Sequence, residues 1–346
     1  MKKHAIIPIF IPHKGCPNDC VFCNQKAITA RIKDASAEDV SGIIEKHLTT
    51  LRGRNLETTE VAFFGGSFTG IPIEQQSEYL EVAQKYKRQG SIDKIHLSTR
   101  PDYIDDEILS NLKKYDVDII ELGVQSFDEE VLRLSNRGHD AAVVEKSCEL
   151  IHRYGFSLGI QLMIGLPGDT AEKCIYSAGK AVSMKPDIAR LYPTIVINDT
   201  ELMRMFRRGE YEPLTTEAAV EITKQMYRIL YEAGINIIRV GLKSTELINE
   251  DGVISGGTYH PAFRQLVEAT IAREDMLELM QKAKIEKETK GKVIFSSCSR
   301  CVSNMAGNNG ENKKWFRENY PGIRFSFFAD EKIPDGKYVL KSFSEN

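Results

Sequence analysis

Three closely spaced thiols carry the first chemical signal in this chain. Cys16, Cys20 and Cys23 lie in Gly15-Cys16-Pro17-Asn18-Asp19-Cys20-Val21-Phe22-Cys23-Asn24, with three residues between the first pair and two between the second. A loop of that length can wrap three thiolates around three irons of a 4Fe–4S cluster and leave the fourth iron without a protein ligand. Thiolates are the soft ligands such a cluster needs, and Phe22 beside them can keep water away. An open iron can chelate the amino and carboxylate groups of S-adenosylmethionine, and the reduced cluster can then cleave that molecule to a 5′-deoxyadenosyl radical. A structural zinc site would want four ligands in two pairs; His13 could complete a set, but the pairs are not there. A disulfide framework does not suit an odd trio of thiols.

The rest of the chain must hold such a loop. Its 346 residues are enough for one large α/β core plus an appendage, and the net charge of −3 makes any nucleic-acid surface a local one. No apolar run approaches the ~20 residues that span a membrane. The run Ala5 to Pro12 is short and broken by prolines, so it reads as a first buried strand and not as a secretion signal. Seven cysteines with no even framework suit a reducing compartment, which makes the cytoplasm the expected location.

Strand-like apolar runs are expected at Ile6 to Ile11, Glu60 to Phe64, Lys94 to Ser98, Ile119 to Val124, Leu158 to Ile164 and Ile188 to Tyr192. Helical patterns fall between them, near 37–51, 73–87, 105–114, 141–154 and 171–184. Strand–helix repeats of this kind imply a parallel sheet whose right-handed crossovers lie on the outside, curled into an open barrel. Chemistry in such barrels gathers at the carboxyl ends of the strands. Those ends carry Gly65-Gly66-Ser67-Phe68-Thr69-Gly70, then Ser98-Thr99-Arg100-Pro101-Asp102, then Glu121-Leu122-Gly123-Val124-Gln125-Ser126, then Gly165-Leu166-Pro167-Gly168-Asp169-Thr170. A glycine pair lets backbone approach a ligand, although a tight strand–helix turn uses the same residues. Asp169 or Thr170 could cap the helix that follows.

The cysteine spacing resembles the signature of the radical S-adenosylmethionine superfamily. Together with the strand-end motifs, Asn136-Arg137-Gly138-His139, Leu191-Tyr192-Pro193 and Tyr259-His260-Pro261-Ala262-Phe263, it is similar to the radical domain and carboxy-terminal extension of the elongator catalytic subunit. The likeness runs from about Ile6 to about Glu268. It implies a partial (β/α)6 TIM-like barrel with a C-terminal α+β extension, divided as 1–200 for the barrel, 201–270 for the extension and 271–346 for a basic tail region. By the same resemblance Cys16, Cys20 and Cys23 hold the cluster, and Gly65, Gly66 and Ser67 contact the methionyl part of S-adenosylmethionine. Ser98, Arg100, Gln125 and Arg137 are its further cofactor or substrate contacts. A flavodoxin- or ferredoxin-like protein would donate the electron.

The elongator family implies radical chemistry at a wobble uridine of tRNA, with acetyl-CoA as co-substrate. This chain departs from it in three ways. The 78 residues after Glu268 are too few for an acetyltransferase domain, the first cysteine gap is the compact one, and Arg190 stands where a lysine is expected. Modification of an RNA base is therefore the leading expectation. Small-molecule chemistry of the porphyrinogen-oxidase kind and a non-catalytic iron–sulfur or RNA-binding scaffold are the alternatives.

The tail offers a local RNA surface. From Lys282 to Arg324, ten Lys/Arg stand against four Asp/Glu, with Trp315 and Tyr320 among them. Arg204, Arg207 and Arg208 form a second basic patch before Tyr211. A solvated helix near 275–290 explains the tail charges equally well. Cys298 and Cys301 could be half of a metal site, a redox pair or, the favoured reading, two unpaired thiols. His260 reads as a turn and packing residue, with proton transfer as the alternative.

Overall fold

The computed structural model describes residues 4–11, 20–24, 35–242 and 254–345. Cys16 and His13 lie outside the described residues. The chain forms two compact units, Met1–Tyr259 and His260–Asn346.

The first unit is built on β1 (His4–Ile11), β2 (Thr58–Gly65), β3 (Lys94–Thr99), β4 (Ile119–Gln125), β5 (Ser157–Ile164) and β6 (Ile188–Pro193). The short β7 (Ile195–Ile197) follows β6, and β8 (Asn236–Val240) extends the sheet. The seven-stranded sheet has the order β1-β2-β3-β4-β5-β6-β8, every pair is parallel, and it curls into a partial barrel. All six expected strands are present, each within two residues of its expected bounds. The seventh, β8, was not expected; it joins β6 after the helix Thr216–Glu232. A small antiparallel pair of β7 with β9 (Ile254–Gly257) completes this unit.

Alternation along each strand explains the layering. One set of positions, such as Val61, Phe63, Ile95, Leu97, Leu122 and Ile160, is apolar and fully buried. Each such side chain contributes ~1.5–3 kcal/mol on leaving water. The alternate set is polar: Glu60 on β2, His96 and Ser98 on β3, Glu121 on β4, Gln161 on β5 and Arg190 on β6. These residues hydrogen-bond one another across neighbouring strands, so they share the second face of the sheet.

Crossover helices begin at identifiable caps. Ser36 and Asp39 form a reciprocal capping box at the helix Ala37–Leu51. Asp105, Asp140 and Thr170 each accept from a backbone N–H three residues on, starting Asp106–Lys114, Ala141–Arg153 and Ala171–Ser183. Of the two residues expected to cap the last of these helices, Thr170 does so. Asp169 instead closes the preceding loop, accepting from the Gly165 N–H and the Cys174 thiol at 3.0 Å each.

The second unit places the helix Phe263–Lys282 with β10 (Gly291–Ser297), β11 (Ile323–Ala329) and β12 (Val339–Glu345). The strand order is β11-β10-β12, with β10 parallel to β11 and antiparallel to β12. Met276, Met280, Val293, Phe295, Met305 and Phe316 form its apolar core. His260 has the structural role expected of it: its Nδ1 accepts from the Ala262 N–H at 3.1 Å, ahead of the helix.

Candidate functional site

Cys20 is buried at the mouth of the barrel, in a segment pinned on both sides. The Val21 N–H donates to Ser135 O at 3.2 Å, and Val21 O accepts from the Leu202 N–H at 2.7 Å. Val21 is buried with Val196, Leu202, Met203 and Tyr211, and Phe22 packs against that group. The Cys23 N–H donates to Cys20 O at 2.9 Å, a tight turn that keeps the two cysteines adjacent.

Two guanidinium groups reach the Cys20 sulfur. Arg137 Nη1 lies 3.1 Å and Arg100 Nη1 3.9 Å from Sγ. Arg100 is aimed by a bidentate pair with Asp102, 2.9 Å at both oxygens, and it also donates to Arg137 O. Arg137 donates through Nη2 to Gly123 O at the end of β4. These two donors place positive charge beside a buried sulfur, an environment that suits a metal or cluster ligand.

Ser67 and Thr99 tie the neighbouring strand ends together. Their hydroxyls are 2.7 Å apart, and Ser67 Oγ accepts from the Arg100 N–H at 3.0 Å. Gly65 has φ 104°, a backbone state that favours glycine, and the Gly66 N–H donates to Ile11 O at 3.0 Å. Gln125 adopts φ 73° beside a register shift in β4. Its Oε1 and the Nε of Arg137 are buried and have no hydrogen-bond partner among the described residues. Unsatisfied buried polar atoms at one rim are costly in a resting protein and mark where a polar ligand would be received.

Below this rim runs a charged network that sequence reasoning found only in part. Glu60 pairs with His4 Nε2 at 3.2 Å and His96 Nδ1 at 3.3 Å, and His96 Nε2 stands 3.5 Å from Glu121 Oε2. Arg190 Nε donates to Glu121 Oε2 at 2.7 Å and Arg190 Nη1 to Tyr192 OH at 3.2 Å. Ser98 and Gln161 donate to the other Glu121 oxygen. Ser98 therefore belongs to this network and not to the Cys20 cluster. Complete burial would by itself raise the Glu121 carboxyl, but the Arg190 guanidinium, then His96 and Gln161, hold it at about 2. Glu60 is likewise held at about 2 by His4 and His96 against its own burial. His96, sandwiched between the two carboxylates, is pushed up despite desolvation. Gly159, opposite Glu121 in register, makes the space: a Cβ there would lie 2.9 Å from Glu121 Cγ. Glu60, His96 and Gln161 were missed, although each is a polar residue at alternate spacing within an apolar strand, which is the signal that could have found them.

The two basic patches have the following surroundings. Trp315 is half-buried: it packs on the second unit's core beside Phe316 and Tyr320, with Arg273 5.3 Å from its ring centroid. Arg204 and Arg208 pair with Glu201 and Glu210, and Tyr211 is buried with its hydroxyl donating to Gly165 O. Among the described residues no helix is long and apolar enough to cross a membrane.

The chain is similar to known proteins. A family model described as the Radical SAM superfamily matches residues 10–178, and one described as the Radical_SAM C-terminal domain matches residues 186–273. A tRNA uridine(34) acetyltransferase of Methanocaldococcus jannaschii is 32% identical over 257 residues, 63% of this chain and 47% of that one. An uncharacterized protein of the same organism is 28% identical over 209 residues, 58% of this chain and 64% of that one. Among solved structures, the archaeal Methanocaldococcus infernus Elp3 with an N-terminal deletion has the same fold, with a TM-score of 0.61 at 22% identity over 83% of this chain and 64% of that one. The chain spans less than two thirds of the length of each of these relatives. The two family models cover most of residues 10–273, and the Cys20 loop lies at the mouth of a parallel partial barrel: the chain carries a Radical SAM superfamily domain followed by a Radical_SAM C-terminal domain.

Proposed function

We propose that this protein is a radical S-adenosylmethionine enzyme that modifies a base of tRNA. The observation that carries the first half is the convergence of Arg137 and Arg100 on Cys20 Sγ at the carboxyl ends of a parallel barrel. The donor set fits an iron–sulfur cluster: buried sulfur, adjacent cations and an aromatic neighbour at Phe22. Cys20 and Cys23, with Cys16 of the same motif, are the residues that would hold a 4Fe–4S cluster through three irons. Bound there, such a cluster supplies the electron for reductive cleavage of S-adenosylmethionine. The chain's own residues do the rest. Arg137 and Arg100 compensate the thiolate charge, while Gln125 Oε1 and Arg137 Nε offer an acceptor and a donor to a zwitterionic ligand. Gly65 and Gly66 keep the β2 rim low enough for close approach, with Ser67 anchoring that turn. The apolar and paired interior excludes bulk water from the reacting atoms.

The second half rests on the tRNA uridine(34) acetyltransferases and Elongator complex proteins among the relatives. The test is nucleoside mass spectrometry of tRNA from cells with and without the gene, alongside 5′-deoxyadenosine formation by the anaerobically reconstituted protein with added bulk tRNA. A nucleoside that disappears without the gene, and cleavage stimulated by tRNA, is expected. Cleavage indifferent to tRNA with an unchanged nucleoside profile would overturn the RNA assignment and turn the search to small molecules.

A further inference from the structure

The unit His260–Asn346 brings two thiols and a carboxylate to one point. β10 ends at Ser297, and the chain turns at once: the Cys301 N–H donates to Cys298 O at 2.9 Å. Cys298 Sγ then lies 3.6 Å, and Cys301 Sγ 3.0 Å, from Asp335 Oδ1. The three donor atoms all fall within 4.8 Å of one another, and no other such group occurs among the described residues. Both thiols are buried and the carboxylate closes over them from the surface side.

These separations have a chemical meaning. A tetrahedral zinc ion with Zn–S of ~2.3 Å and Zn–O of ~2.0 Å sets an S···O edge of roughly 3.5 Å. The observed 3.6 and 3.0 Å bracket that edge, so an ion enters with adjustments of about half an ångström. The surroundings are those of supported ligands. Asp335 Oδ2 is held by Arg300 Nη1 at 2.9 Å, which orients the carboxylate with Oδ1 towards the two sulfurs. The Gly336 N–H donates to Cys301 Sγ at 3.3 Å, which fixes the position of the sulfur. The Asp335 loop is fixed independently: the Asp330 N–H donates to Ser297 O at 2.8 Å, and Ser297 Oγ donates to Lys337 O. Residues 34 apart in sequence are thus held together before any ion arrives.

We infer that Cys298, Cys301 and Asp335 form a zinc site, with water as the fourth ligand. Two thiolates and a carboxylate suit a borderline-soft d10 ion, whereas an iron–sulfur cluster wants more thiolates than this trio offers. The ion staples the exit of β10 to the β11–β12 connection, in a unit with a three-stranded sheet and one small core.

The experiment uses the full chain with Cys16, Cys20 and Cys23 changed to Ala, so that cluster iron does not mask the result. Protein from zinc-supplemented cells is analysed for metal after gel filtration, and the metal-free reduced chain is titrated with Co2+. About one zinc per chain is expected, and Co2+ should produce thiolate-to-metal absorption together with tetrahedral ligand-field bands. Cys301→Ser should reduce zinc at least tenfold. Arg300→Ala, a surface change that keeps all three ligands, should retain the zinc and weaken affinity by no more than about fivefold, because the Arg300–Asp335 pair is exposed. Two free thiols with no zinc and no cobalt bands would overturn the site. A Cys298–Cys301 disulfide in protein isolated anaerobically, or iron in place of zinc, would overturn it equally.

Discussion

Arg190→Met is the most informative single perturbation of the barrel interior. Glu121 is fully buried, and Arg190 provides its shortest cationic contact, 2.7 Å from Nε to Oε2. The substitution keeps an unbranched side chain against the Phe64 ring, which the guanidinium carbon approaches to 4.8 Å from the centroid, but removes the charge. Two routes remain open to Glu121, and both are expensive. Staying ionised beside His96 alone costs about 3–5 kcal/mol, the usual penalty for breaking a buried pair. Taking a proton at pH 7 from an ordinary value of 4.5 costs ~1.4 kcal/mol per unit, or ~3.4 kcal/mol. A loss of about 3–5 kcal/mol is therefore expected in the urea unfolding of the barrel, followed by circular dichroism. Trp315, the one tryptophan, reports the second unit separately by fluorescence.

The pH dependence supplies the sign. In the parent protein Glu121 is depressed to about 2, so its contribution is present above 4.5 and is lost as pH falls from there towards 2. In Arg190→Met, burial raises the folded-state value above the unfolded one. The contribution is then present below 4.5 and lost as pH rises through that raised value, so the variant should gain stability between pH 7 and pH 5. Adding Glu121→Gln should restore at least half of the loss. A destabilisation below about 1 kcal/mol with an unaltered pH slope would refute the reasoning.

Three further outcomes follow from the same structure. Arg137→Met removes the cation nearest Cys20 and should lower 5′-deoxyadenosine formation by about 10–100-fold with the circular dichroism spectrum unchanged, since hydrogen bonds to charged groups are worth ~1.5–3 kcal/mol. Gly168→Ala should destabilise the barrel by about 2 kcal/mol, because φ is 75° and a Cβ would stand 2.4 Å from Leu134 Cδ1; thermal unfolding reads this directly. Acid titration of the parent protein should show loss of stability between about pH 4.5 and 2 that Glu60→Gln reduces, because Glu60 is also held at about 2.

What the sequence disclosed, and what it hid, has a physical pattern. Strands β1 to β6 were readable because each is an apolar run bounded by turn residues, and the interleaved helices carry their caps in the chain itself. β8 was not, because Asn-Ile-Ile-Arg-Val is too short to assert itself until β6 offers an edge. Local motifs gave Cys20, Arg100 and Arg137 as candidates, but their convergence is tertiary: 80 and 117 residues separate the arginines from Cys20. Glu60, His96 and Gln161 went unread because a polar residue in a strand looks alike whether it meets solvent or a partner across the barrel. Asp335 beside Cys298 and Cys301 went unread because it lies in a turn 34 residues beyond Cys301, and only the folded chain brings them together. Trp315 and Tyr320 stood out in the sequence as aromatics among basic residues, but their half-burial against the second unit's core is set by the fold and is not legible locally.

The most direct test of the central claim is 5′-deoxyadenosine formation from S-adenosylmethionine by the anaerobically reconstituted chain under a strong reductant, measured beside Cys20→Ala. Cleavage by the parent protein that disappears in Cys20→Ala, while the variant keeps its fold by circular dichroism, is the predicted result. Equal cleavage by both proteins, or none from a parent chain carrying a full complement of four irons, would contradict it.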